Sequence, residues 1–271
     1  MPGVLTVAKW EARKLRSQKR TYLGLGAAVG APLLFVTALA VRDGAPRHEM
    51  FAEALRSTAL AIPLILLIFG SIWLFPLIAA LVAGDIVASE DSNGTLKTIL
   101  TRSLGRRQVF WGKAIVAAAY AMLAGLLFVV TAIVAGIFES GFNPLPTLTG
   151  GTVSAWTATG LVFLSLAVYM IPLLTIVCIG LLLSTVTRNS AAAVVGTLMF
   201  SLLLQLVAVL PGLEGLQPYL LTEQFNAWQV LFQQPIDVGP IIHAAWVCLL
   251  YAVPALGVAY WVFMRRDVAG G

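Results

Sequence analysis

The polar chemistry of this chain is concentrated in one stretch, 84–113 (GDIVASEDSNGTLKTILTRSLGRRQVFWGK), set between two long apolar runs. It gathers five basic and three acidic residues around an Asn93-Gly94-Thr95 turn. Lipid alone does not require so much sequence-specific polarity on one short loop, so the stretch reads as a surface that meets another protein. Phosphate cradling is excluded by spacing. Gly112-Lys113 is followed by Ala114 rather than Ser or Thr, and Arg107 stands where a P-loop needs its first glycine. The chain therefore does not bind and hydrolyse ATP by itself.

Little else in the sequence points to catalysis, and the chain reads as a non-enzyme. Nucleophilic hydrolysis needs a nucleophile with a base in reach, and a metalloprotease needs a His-Glu-x-x-His cluster; neither pattern occurs. Cys178 and Cys248 lack partner spacing and read as small buried hydrophobes, with no metal or disulfide framework. His48 and His243 read as surface or interfacial histidines. All twelve acidic residues fall outside the apolar cores, and no Lys or Arg falls mid-span. A proton- or sodium-coupled transporter keeps such charges inside the membrane and uses them, so that class is disfavoured.

The elements that must position the polar stretch are membrane helices. Of 271 residues 59% are hydrophobic and 11% charged, with a mean hydropathy of +0.93; soluble domains are about 25% charged. A spanning helix takes about 20 apolar residues, and six runs qualify: 21–41, 59–83, 114–137, 154–186, 190–210 and 241–263. Lys and Arg number 14 in segments 1–20, 85–113, 188–189 and 265–271, against 3 in the alternate segments. Both termini are thus expected in the cytoplasm. The basic residues line the inner membrane edge, which accounts for the +5 net charge without nucleic acid. Arg-rich, Ala-, Gly- and Val-rich composition suits a bacterial cell membrane. A cleaved signal peptide ending near Ala38-Leu39-Ala40 is the alternative for the N-terminus, opposed by the long charged leader and the long apolar run.

Two cytoplasmic parts carry amphipathic patterns. Over 4–20, Lys9, Arg13, Arg16 and Arg20 form a basic stripe opposite Val4, Val7, Ala8, Ala12 and Leu15, the pattern of a helix lying along the inner membrane surface (residues 1–20). Glu11 falls inside the apolar stripe and must be paired, with Lys14 one turn on, or at a protein contact. In the polar stretch, 85–92 extends the second span. Thr95 is a good N-cap. Leu96, Ile99 and Leu100 make an apolar face, and Gly105 ends the helix. That face lies on lipid or docks in a groove of a soluble partner.

The residues Glu90, Gly94-Thr95-Leu96, Leu100-Thr101-Arg102, Arg106 and Gly112-Lys113 resemble the signature of ABC-2 type transporter permeases. Ser103 departs from the proline frequent there. The resemblance implies an all-α polytopic fold over 21–271: six transmembrane helices, an N-terminal interfacial helix, a cytoplasmic coupling helix between spans two and three, and short external helices between spans five and six. It further implies two permease subunits, expected to be identical, working with two separate ATP-binding subunits. Those subunits carry ATP and Mg2+, while this chain binds no cofactor. Glu90, Gly94, Thr95, Leu96, Ile99, Leu100, Arg102 and Arg106 would then serve docking, and Glu11, Arg13 and Arg16 the interfacial helix. The implied activity is export of a hydrophobic or amphipathic substrate: a drug, lipid or small peptide. The other readings are a membrane-embedded assembly protein without transport and a secondary transporter.

On the external side, 211–240 is too polar to span yet places Leu221, Phe225, Trp228, Leu231 and Phe232 near helical spacing between prolines. One or two short helices dipping into the outer leaflet are expected. Phe69, Trp73, Phe200 and Gln205 are candidates for lining a pathway. Gly26-x-x-x-Gly30 and Ala192-x-x-x-Gly196 are faces for close helix approach. Pro63, Pro76 and Pro172 are candidate kinks.

Overall fold

A computed structural model describes residues 3–41, 55, 57–94, 105–146, 151–233 and 235–265. Thr95, Leu96, Ile99, Leu100 and Arg102 lie outside these residues, as does His48.

The chain opens with α1 (Val4–Arg16) and turns at Ser17, whose N–H and hydroxyl both donate to the Lys14 carbonyl. It continues as α2 (Lys19–Val41), α3 (Ala61–Gly70), α4 (Leu74–Ala83), α5 (Ala88–Ser92) and α6 (Arg106–Ser140). After β1 (Leu145–Pro146) and β2 (Thr152–Val153) come α7 (Ala155–Thr187) and α8 (Ser190–Ala208). Two 3-10 helices (Glu214–Tyr219 and Glu223–Phe232) lead to α9 (Gly239–Met264). Among the described residues α2, α6, α7, α8 and α9 are five helices long and apolar enough to cross a membrane. The molecule is a mostly helical, multi-pass membrane protein. The expectation of a purely helical chain needs one amendment, the antiparallel pairing of Leu145 with Val153 and Pro146 with Thr152.

The run expected as one span over 59–83 is broken. Helices α3 and α4 meet at a 63° bend across residues 71–73. Each has ten residues, about 15 Å of helix, half of what a bilayer core needs. The cause is Pro76, which has no N–H to give the Ile72 carbonyl and whose ring would strike it. Placed in the first turn of α4, the proline is tolerated, and the chain breaks just before it. The kinks expected at Pro63 and Pro76 thus resolve differently: both prolines lie within helical first turns, and the bend sits upstream of Pro76. Helix α7 runs through Pro172 without interruption.

Helix α7 is the centre of the bundle, packed by α4, α6, α8, α9 and the second 3-10 helix. An edge-to-face aromatic series crosses it: Phe128 to Phe75 at 4.9 Å, Phe75 to Tyr169 at 5.1 Å, and Tyr169 to Phe225 at 4.8 Å between centroids. The segment between α8 and α9 forms 3-10 rather than α-helices. It buries Phe225, Trp228 and Leu231, while the Gln224 amide donates to the Pro218 and Leu220 carbonyls. His243 and Tyr251 of α9 reach the Pro218 and Tyr219 carbonyls at 2.9 and 3.1 Å.

Glycines set two close approaches. A Cβ on Gly112 of α6 would lie 2.7 Å from Val7 Cγ1, so α1 rests its apolar stripe (Val7, Ala8, Leu15) directly on α6. A Cβ on Gly180 would lie 2.9 Å from Ala83 Cβ, where α7 crosses the end of α4. Gly26 and Gly30 of α2 have nothing within 4 Å of such an atom, so packing among the described residues does not explain them. A Cβ on Gly196 would lie 3.3 Å from Leu183 of α7, whereas Ala192, one turn earlier, is exposed.

Overpacking a tight crossing costs about 1–3 kcal/mol. Gly180→Leu is therefore expected to lower the melting temperature of the purified chain in detergent, whereas Gly257→Leu, in open space on α9, leaves it near the wild-type value. Equal melting of the two variants would contradict the crossing.

Candidate functional site: a buried charge node at the basic end

Basic residues of α1, α2, α6 and the α7 cap converge on the acids of residues 85–91. Lys113, in the third turn of α6 and surrounded by apolar helix, has no exposed surface. An ammonium has three donors, and each has an acceptor: Glu90 Oε2 at 2.7 Å, Glu11 Oε1 at 2.9 Å and the Ile86 carbonyl at 3.1 Å. Lys14 of α1 pairs with the other oxygen of Glu90. Two carboxylates and two ammonium groups thus form a neutral quartet. Desolvation of a charge costs several kcal/mol, and it is offset only where partners and hydrogen bonds are complete.

Two further pairs extend the node. Asp85, 3% exposed, is held by the Arg20 guanidinium of α2 and by the Ser190 hydroxyl at the start of α8. Asp91 faces Arg188 at 3.7 Å. Arg188 caps α7 in the left-handed region, at φ 54°. The three acids of the polar stretch therefore reach bases on α1, α2, α6 and the α7 cap. The irregular turn 84–87 has its backbone satisfied by side chains from other helices: Lys113 takes the Ile86 carbonyl, and the Ser184 hydroxyl of α7 accepts the Val87 and Ala88 N–H groups at 3.1 and 3.0 Å. Buried backbone polar groups must find such partners.

The sequence-predicted residues are distributed as follows. Glu90 is 1% exposed and faces inward, bracing helices of its own chain. Glu11 is buried and pairs with Lys113. The expected pair of Glu11 with Lys14 is not the one formed, because Lys14 turns to Glu90. Arg13 and Arg16 are exposed on α1. Gly94, at φ 68°, turns the chain after α5 in a conformation that glycine adopts without strain. Arg106 opens α6 and donates to the Met264 carbonyl at 2.6 Å, satisfying the end of α9. Phe69 and Trp73 are 62% and 59% exposed. Phe200 packs on Tyr251 with ring centroids 6.4 Å apart, and Gln205 is half-buried. Neither of two open cavities, one beside Lys14 and Arg20 and one beside His243, is lined by any of these four.

Sequence reasoning missed Lys14, Arg20, Asp85, Lys113, Ser184 and Ser190 as parts of one node. The usable signal was a pair of anomalies of opposite sign: Glu11 within an apolar stripe, and Lys113 continuous with an apolar helix. No group of three or more His, Cys, Asp or Glu side chains suited to a metal ion occurs among the described residues.

Residues 16–269 match a family described as protein of unknown function DUF2705, and the chain belongs to that family. No curated protein matches it.

Removing one partner of a buried pair costs about 3–5 kcal/mol, because the other charge stays buried and unpaired. Lys113→Met is expected to destabilise the chain by that order in detergent melting, and adding Glu11→Leu to recover part of the loss. No recovery would show that the two groups act separately. Burial pushes the Glu90 carboxyl up, but the Lys113 charge and the hydrogen bonds from Lys113 and Lys14 outweigh it and hold the carboxyl below its ordinary 4.5. A depressed carboxylate contributes stability that is present above the unfolded value and lost as pH falls through the folded one. Wild type should therefore lose stability below about pH 4.5, with a shallower acid limb in Glu90→Gln; identical limbs would remove Glu90 from that role.

Proposed function

We propose that this member of the DUF2705 family is the membrane-spanning permease subunit of an ATP-driven exporter, powered by separate ATP-binding subunits docked on the loop that follows Gly94. The observation that carries the reading is the anchoring of that loop. Its N-terminal side (84–92) is tied through Asp85, Glu90 and Asp91 to α1, α2, α6 and the α7 cap. Its C-terminal side begins α6 at Arg106, which is bonded to the end of α9. A force applied to 95–104 is thereby delivered to several membrane helices at once instead of being dissipated in a slack connection.

In this reading the basic end faces the cytoplasm, as the placement of Lys and Arg supports, and the membrane is the bacterial cell membrane. Leu96, Ile99 and Leu100 supply an apolar face for a groove on the ATPase, with Thr95 as the N-cap and Arg102 beside it. Glu90 serves from behind, as a brace that positions the loop. Arg106 serves likewise, through α9. ATP and Mg2+ belong to the partner. The substrate class is hydrophobic or amphipathic, and a second permease copy completes the pathway.

The test is co-expression with candidate ABC ATP-binding subunits from the same genome. Leu96→Asp is expected to abolish co-purification and substrate-stimulated ATP hydrolysis in liposomes while the melting temperature stays unchanged. Retention of both in a folded Leu96→Asp variant would refute docking through this loop.

A further inference from the structure

The corner between α1 and α2 encloses an open cavity of about 540 Å³. One side is formed by Lys14, Gln18, Lys19 and Arg20, the other by Glu90 and Asn93. Three cations and one anion line it, for a net charge of +2 (three minus one). The anion is already committed, since Glu90 is shared between Lys14 and the buried Lys113. The cations are not fully committed. Lys14 gives one donor to Glu90 and keeps 41% of its side chain exposed. Arg20 spends one N–H on Asp85 and two on Gln18, leaving two of the five that a guanidinium carries. Lys19 is exposed, and among the described residues it has no ion-pair partner.

The position of this cavity selects its ligand. Lys19 and Arg20 open the first membrane-crossing helix, and α1 approaches them from the side, seated on α6 by its apolar stripe. The cavity therefore lies at the level where a bilayer presents its headgroups. Basic pockets at that level, formed at the ends of membrane helices, suit anionic headgroups. A phosphodiester oxygen pair matches the fork of a guanidinium, and a lysine binds the same group as a point charge.

We propose that this corner is a binding site for the phosphodiester headgroup of an anionic phospholipid, held by Lys19, Arg20 and the free donors of Lys14. Occupancy places a negative charge beside Lys14, Lys19 and Arg20 and offsets the net positive charge of the corner. The site is independent of the transport reading and requires only that α2 crosses the membrane.

The test is native mass spectrometry of the full chain in detergent with phosphatidylglycerol, phosphatidylcholine or inorganic phosphate as the probe. Phosphatidylglycerol is expected to remain bound where phosphatidylcholine is lost. Lys19→Gln should weaken that retention about fivefold, the effect of one basic residue near an anionic surface, and Lys19→Glu should abolish it. Both variants leave the buried node intact and should melt like wild type. Lys9→Glu, on the exposed stripe of α1 away from the cavity, should retain the lipid. Unchanged retention in Lys19→Glu, or equal loss in Lys9→Glu, overturns the proposal. Displacement of the lipid by millimolar inorganic phosphate would assign the corner to a soluble anion and overturn it equally.

Discussion

The Lys113 ammonium is the constraint on which the basic end depends. It sits without solvent contact between the apolar residues Trp111-Gly112 and Ala114-Ile115, where an unpaired charge would cost several kcal/mol. Its three donors require three acceptors, and these come from three separate places: Glu11 on α1, Glu90 on α5, and the Ile86 carbonyl in the turn between α4 and α5. Satisfying one cation therefore seats the N-terminal helix, orients the short helix after the broken passage and shapes the turn between them. Gly112, adjacent in sequence, lets Val7 approach closely enough for Glu11 to reach. The proximity and the pairing are two parts of one contact.

Polarity inside the bundle follows the same economy. The chain leaves regular helix at 71–73 and at 84–87, both times near apolar surroundings where backbone groups cannot turn to water. At the second place side chains from α6 and α7 take over the missing bonds. At the first, the Ser71 hydroxyl donates to the Ile68 carbonyl at 2.7 Å. The aromatic series from Phe128 through Phe75 and Tyr169 to Phe225 then joins α6, α4 and α7 to the 3-10 segment at the opposite end. Helix α4 thus touches that series near its start and leads into the charge node just beyond its end, which makes it a short, direct link between the two ends of the bundle.

Much of the helical framework was legible in the chain, because long apolar runs have few alternatives in lipid. The boundaries of α2, α7, α8 and α9 fall within about two residues of the apolar runs. Helix α6 begins earlier than its run, at Arg106, since a helix continues past the apolar region wherever its backbone bonds can. The run over 59–83 was legible as apolar but not as bent: hydropathy sums are blind to direction, and Pro76 was visible only as a candidate kink. The 211–240 segment was correctly expected to hold short helices, but their 3-10 geometry and their burial against α7 depend on a neighbour distant in sequence. The site was half legible. Glu11 announces itself as an acid in an apolar stripe, and Glu90 stands out by its motif; nothing in the local pattern ties Lys113 or Asp85 to them, because their partners lie on other helices.

By itself the sequence determined that the chain carries long apolar runs suited to lipid, roughly where they lie, and which segments gather its positive charge. These properties depend on composition and on local order along the chain, so no neighbour can change them. Only the tertiary structure decided which acid meets which base. Charges separated by 76 residues, as Lys14 and Glu90 are, or by 102, as Glu11 and Lys113 are, pair because helix packing brings them together, with Lys113, Glu11 and Glu90 withdrawn from water. Their pairing is therefore a property of the assembled bundle, and no single segment contains it.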